Sequence, residues 1–259
     1  MRGAGWGKMW HSFRPKNDIW YRWRLNGASA YLRKSRDSWQ IAFKTIHFQD
    51  RDGEFGGPEA EDPPEGLSLI HAWGSGDSVF LHPFLSAMPY VLRMREKFRV
   101  APGRHCRFTA KLPPLLKFEL APEKILAEEM PFGMSKTFFG ENPMSGEICH
   151  SLVLAFDHDA PPPGPSAFIY CDVLITNSSK ATLELERVIV HPEPLSVYVH
   201  QNRLVTDTLE LDYTDADCKP RVEKCASSSY RLVSAGARYS AGESFARRGV
   251  DFIKDITTI

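Results

Sequence analysis

Residues 152–213 read LVLAFDHDAPPPGPSAFIYCDVLITNSSKATLELERVIVHPEPLSVYVHQNRLVTDTLELDY. Five short apolar runs divide this stretch. LVLAF ends in a proline-rich loop, AFIYCDVLI in TNSSK, TLELERVIV in HPEP, LSVYV in HQN, and LVTDTLELDY in an acidic segment. In TLELERVIV, Leu183, Leu185 and Ile189 fall on one side, and Glu184 and Glu186 on the other. Side chains alternate across a strand, so this spacing buries one face of a sheet and wets the other. Repeated strand-sized runs with turn signals predict a mainly β chain built as antiparallel β-sandwich layers.

Working outward, the same reading extends upstream. WYRWRL and ASAYLR flank Asn26-Gly27, the pair that most readily takes the positive φ values of a type I′ hairpin turn. WQIAFKTI follows as a third strand, with Trp39, Ile41 and Phe43 on one face. Residues 49–66 are acidic and rich in Gly and Pro, which reads as a mobile surface loop. LSLIHAW, SVFLHPF, YVLRMREKFRVA, RHCRFTAKL and LLKFEL read as strands, with Pro113-Pro114 marking a break or a sheet edge. APEKILAEEM reads as a helical turn or more, and PFGMSKTFFGENPMSGEICH as a long loop. Near the end, Ser240 and Glu243 fit a capping box. Ala246, Val250, Ile253 and Ile256 then recur at helical spacing, predicting a C-terminal α-helix. The expected organisation is a basic, Trp-rich β unit over 1–120, a connecting segment over 121–151, and a second β unit with the helix over 152–259. One large domain and two small ones both remain open.

Composition narrows the function classes. The chain has 259 residues and a formal net charge of zero. Residues 1–117 carry a net +8 and residues 118–259 a net −8. Such asymmetry steers a partner, attracts one half to the other, or reflects different outer sheet faces. The five cysteines have no CxxC spacing, so neither a zinc knuckle nor a redox motif is indicated; Cys106 and Cys171 read as small buried hydrophobes. MRGAGWGKMWHSF has no apolar core of signal-peptide length. The uncharged stretch Ser78–Leu92 is broken by His82, Pro83 and Pro89 and is too short to span a bilayer, which takes roughly 20 apolar residues. These features lead us to expect a soluble, cytoplasmic protein. Asn177-Ser178-Ser179 matches a glycosylation acceptor but reads better as an exposed turn.

Several segments resemble a known family. They are PYVLRMREKFRVAPGRHCRFTAKLPPLLKFEL (residues 89–120), MSKTFFGENPMSGEICH (134–150), LERVIVHPEPLSVYVHQNRLVTDTLEL (185–211), and the early Arg36, Asp37 and Trp39. Together they resemble a family of bacterial and archaeal proteins known only as a domain of unknown function. The resemblance covers most of the chain and implies no activity, cofactor or site residue.

Four sets of residues carry possible chemistry. Trp20, Arg22 and Arg24 share one face of the first strand, opposite Tyr21, Trp23 and Leu25; aromatic and basic groups so placed suit stacked bases and phosphates. Against that stands the zero net charge, since nucleic-acid binding rests on phosphate contacts. Glu147, His150, His191 and His200 sit at strand ends, where imidazole and carboxylate suit a transition metal, though no HxH or HxxxH pair exists. Serines near glycines lack nucleophile-elbow spacing. Phe138 and Phe139 either clamp a ligand or plug the open end of a core. The leading expectation is a non-catalytic binding or accessory protein acting through protein–protein contact, with no cofactor. A metal-dependent enzyme and a nucleic-acid binder are the alternatives.

Overall fold

The computed structural model describes residues 10–49, 53–120, 124–140, 146–154, 166–225 and 227–236. These residues form an all-β fold of several sheets, including a curled half-barrel, and hold no helix. The predicted helix over 240–256 lies outside the described residues.

The first sheet is antiparallel throughout. Strands β1 (Trp20–Leu25), β2 (Ala28–Ser35) and β3 (Ser38–Lys44) form its centre, flanked by β5 (Phe55–Ala60) beside β1 and β6 (Leu69–Trp73) beside β3. Asn26 and Gly27 have φ of 51° and 97°, and Leu25 pairs with Ala28, so the expected I′ hairpin forms. Trp23, Leu25, Trp39 and Ile41 are buried on the inner face. The Trp39 indole donates its N–H to the Gly74 carbonyl at 2.8 Å. The segment expected to be an acidic loop instead supplies β5, and its glycines are the reason. A side chain at Gly57 would lie 2.6 Å from the Arg22 carbonyl oxygen, so only glycine lets this edge approach β1.

Three more sheets and one short pair complete the fold. A three-stranded sheet runs β11 (Lys124–Glu129), β10 (Leu115–Leu120), β7 (Val79–Phe84). Strands β4 (Ile46–His47) and β12 (Phe132–Gly133) form a two-residue parallel pair. A four-stranded sheet runs β13 (Ser135–Phe139), β14 (Glu147–Leu154), β8 (Tyr90–Val100), β16 (Leu183–Val190). The last is built on β15 (Ile169–Asn177), with β9 (His105–Leu112) along one edge. Along its other edge run β18 (Arg203–Thr206) and β19 (Thr208–Tyr213), followed outward by β17 (Val197–His200), β20 (Cys218–Glu223) and β21 (Arg231–Ser234). Strands β8 and β9 thus pair with β14, β15 and β16, so ladders cross residues 121–151 in both directions.

Several expectations are corrected here. The sheets are not purely antiparallel: β14 runs parallel to β8, β18 and β19 run parallel to β15, and β4 runs parallel to β12. The described part of APEKILAEEM is not helical; its Lys124–Glu129 portion forms β11 against β10, burying Leu126 and Ala127. A sheet edge needing a partner outweighs the weak helical preference of the segment. The expected loop over 131–150 contains β12, β13 and the start of β14. Asn177 is not exposed: its amide donates to the Val100 and Ala181 carbonyls at 2.7 and 2.8 Å from a fully buried position. Cys171 is buried as expected, and burial pushes its thiol up to about 12; Cys106 is half-buried, with its thiol up at about 11.

Most of the buried apolar side chains form one contiguous cluster contributed by all four larger sheets. Beside it lies a fully buried charge. LVTDTLELDY breaks at Asp207, whose side chain has no exposure to water. Its carboxylate accepts the backbone N–H of Ser196 at 2.9 Å and of Cys225 at 3.0 Å, the Tyr198 hydroxyl at 3.0 Å and the Lys224 ammonium at 2.9 Å. Burial alone would raise its pKa; Lys224 and the three other donors outweigh burial and hold it below the usual carboxylate value. Replacing Asp207 by Ala leaves four donors without their acceptor. We expect a loss of about 3–5 kcal/mol, read as a drop in the urea midpoint at pH 7, with Lys224→Met costing clearly less because the ammonium is half exposed.

Candidate functional site

Arg22 and Arg24 project from the outer face of β1, as the alternation with buried Trp23 and Leu25 requires. They do not lie open to phosphates. Arg24 is within 2.8 Å of Glu59, 3.3 Å of Glu61 and 3.5 Å of Glu54. Hydrogen bonding to Glu59 raises its pKa further, against the effect of burial. Arg22 donates from Nη1 to Glu61 at 2.5 Å and from Nε to Ser29 Oγ at 3.0 Å, and its guanidinium lies over the Tyr31 ring. Trp20 shares this face and is half-buried. The acidic segment whose charges looked merely solvated thus neutralises the basic hairpin. A cleft of about 330 Å³ opens where the two meet, lined by Arg22, Arg24, Asn26, Gly27, Ala28, Gly53 and Glu54.

The two phenylalanines have opposite fates. Phe139 is buried and lies under the Arg187 guanidinium, 5.5 Å from Cζ to ring centroid. Phe138 is 44 % exposed and faces Ile148, also exposed, across the β13–β14 ladder. Adjacent residues on a strand point to opposite faces, so one ring packs in the core and the other cannot.

The histidine and carboxylate candidates are dispersed. Glu147 and His191 come together, 3.4 Å apart. His150 lies three residues along β14 from Glu147, on the opposite face, and pairs with Ser86. His200 stacks on Tyr230 with 4.2 Å between centroids, and its Nδ1 lies 3.3 Å from the Ser229 carbonyl. Among the described residues no three His, Cys, Asp or Glu side chains are grouped to hold a metal ion.

One surface went unnoticed in the sequence. Strand β6 ends the first sheet and, among the described residues, pairs only with β3. Ile70 and Ala72 lie opposite buried Ile41 and Trp39, while Leu69, His71 and Trp73 face outward. Trp73 is 72 % exposed and Leu69 45 %. Edge strands invite pairing with other chains and are commonly guarded by proline or charge. Strand β5 carries Pro58, β7 carries Pro83, β13 carries Lys136, and β20 carries Pro220 with three charged residues. LIHAW has neither proline nor a formally charged residue. That lack was legible in the sequence, but only the sheet order shows the run to be an edge.

Comparison with known proteins places most of the chain. Residues 9–228 match the family model described as protein of unknown function (DUF432). The chain belongs to the DUF432 family. No curated protein and no solved structure matches it. No helix among the described residues of this DUF432 chain is long and apolar enough to cross a membrane.

One buried titratable group in this DUF432 chain is His150. It is buried, its ring is tilted against that of Tyr90, and it shares a 3.1 Å hydrogen bond with Ser86 through Nε2; its Nδ1 is buried without a partner among the described residues. Burial, and then the nearby Lys136, lower its pKa from 6.5. His82 and His11 are lowered as well, mainly by burial. Below pH 6.5 the unfolded chain therefore binds protons that the folded chain refuses, so stability falls as pH falls, until the folded histidines themselves titrate. The urea midpoint should hold between about pH 8 and 7 and decline from there towards pH 5. His150→Gln should flatten that decline without abolishing it, because His82 and His11 still contribute; an unchanged slope would remove His150 from the account.

Proposed function

We propose that this DUF432 protein is a non-catalytic binding or accessory module whose β sheets stack in sandwich-like layers and whose contact is with another protein, through strand addition at β6. The observation that carries the reading is Trp73, largely exposed on an unguarded edge strand. An extended segment of a partner laid along β6 would pair with the backbone edge turned away from β3 and cover Leu69 and Trp73. Main-chain hydrogen bonds supply affinity in this recognition mode, and side chains on alternate positions supply specificity. Tryptophan is the residue type most enriched among energetic hot spots of protein interfaces. The first sheet behind β6 is anchored by Trp39 and Ile41, so the edge is presented on a rigid element.

The other two readings draw less support. The basic face that suited nucleic acid has its two arginines engaged by three carboxylates. The metal reading retains one pair, Glu147 with His191, where a site needs three ligands or more.

The test is affinity purification of the full chain from its native host, comparing wild type with the double variant Leu69→Lys, Trp73→Glu. Both side chains are exposed, so the circular dichroism spectrum and urea midpoint should be unchanged. The wild type should retain a stoichiometric protein partner, and the variant should retain at least about tenfold less, the loss of roughly 1.4 kcal/mol or more expected of a hot-spot tryptophan. A partner held equally by both proteins would end the proposal.

A further inference from the structure

The cleft between β1 and the Gly53–Glu54 segment is a site of different kind from the β6 edge, and its chemistry is specific. Its space exists because three of its wall positions are Gly27, Ala28 and Gly53. Gly27 and Gly53 are not free to change: Gly27 has φ of 97°, and a side chain at Gly53 would sit 2.9 Å from the Asn26 Cα. The volume of about 330 Å³ lies at the small end of ligand sites.

Donors concentrate on one wall. Arg22 spends Nε on Ser29 and Nη1 on Glu61, which among the described residues leaves Nη2 with two N–H groups to offer. Asn26 also lines the cleft; the residue is nine-tenths buried and its amide nitrogen has no hydrogen-bond partner among the described residues. A buried amide left in this state is costly, and an acceptor drawn into the cleft relieves it. The opposite character sits at the rim, where Glu54 is 82 % exposed and held by Arg24 only at 3.5 Å.

Charge then selects the ligand class. Among the described residues, the ion-pair network at the cleft sets two arginines against Glu54, Glu59 and Glu61, a formal −1. A phosphate would deepen that imbalance, and a simple carboxylate would do so by one unit. A zwitterion leaves it unchanged while placing a carboxylate on the guanidinium wall and an ammonium at the Glu54 rim. From these features we infer that the cleft binds a free α-amino acid, its carboxylate on Arg22 and Asn26 and its ammonium on Glu54.

Isothermal titration of the full chain with L-alanine, L-glutamine, L-lactate and inorganic phosphate tests this. L-Lactate matches L-alanine in size but replaces the ammonium by a hydroxyl. At least one of the two amino acids should bind saturably, with L-lactate about tenfold weaker and phosphate weaker still. Arg22→Gln should weaken amino-acid binding about tenfold, the scale of one charge-assisted hydrogen bond. Glu54→Gln, a change at an exposed rim position that leaves the fold intact, should bring the amino acid and L-lactate to within about threefold of each other. The inference fails if neither amino acid binds at about 20 mM, if phosphate binds as tightly, or if Glu54→Gln leaves the preference for the ammonium untouched. Strand addition at β6 would stand or fall separately, because no residue is shared between the two sites.

Discussion

A carboxylate sealed from water determines how the largest sheet is assembled. Strand β15 offers one edge to two successive strands, and the chain must step out of the ladder between them. Asp207 occupies that step. Its oxygens gather the amides of Ser196 and Cys225, the Tyr198 hydroxyl and the Lys224 ammonium. The turn before β17, the side chain of β17 and the end of β20 are thereby tied to the β18–β19 break. An ionised group in such surroundings persists only when its acceptor sites are filled, so the contacts are mutually dependent. Beyond this knot the sheet is ordinary, with Val173 and Ile175 packed inward.

The charge asymmetry of the two halves has a structural outlet. Lys97 with Glu186, Arg99 with Glu184, and Arg107 with Asp172 join the positive half to the negative one across the β8–β16 and β9–β15 ladders. All three pairs are exposed, where an ion pair contributes little; their value lies in matching strands of opposite sign in register. In the first sheet the compensation is local, because Arg22 and Arg24 meet carboxylates from a segment a few dozen residues along. Neutralising those arginines makes the hairpin a stable outer face and removes the free positive potential that its sequence suggested.

Much of the fold was visible in local pattern. Asn26-Gly27 announced its turn because few other pairs accept two positive φ values. TLELERVIV announced its buried face because Leu183, Leu185 and Ile189 are bulky and Glu184 and Glu186 are charged. The failures share a cause. KILAEE has no strong local preference and becomes a strand because β10 lacks a neighbour on that side. FGGPEA looks like loop chemistry and becomes an edge because glycine permits close approach to β1. Among the candidate residues, Phe138 and Phe139 could be separated by strand alternation once β13 was known. The approach of Glu147 to His191 could not be foreseen, since it depends on which strands flank β8.

What the sequence determined by itself was the all-β character, the first hairpin and the inward faces of individual strands. These depend on side-chain period and turn conformation, and both act over a few residues. Tertiary structure alone decided the parallel pairings, the burial of Asp207 and Asn177, the pairing of the arginines, and the exposure of β6. Each of these depends on which distant segment supplies a hydrogen-bonding edge or a countercharge. No local periodicity encodes that choice; it is made when competing strands fill the available edges around one shared core.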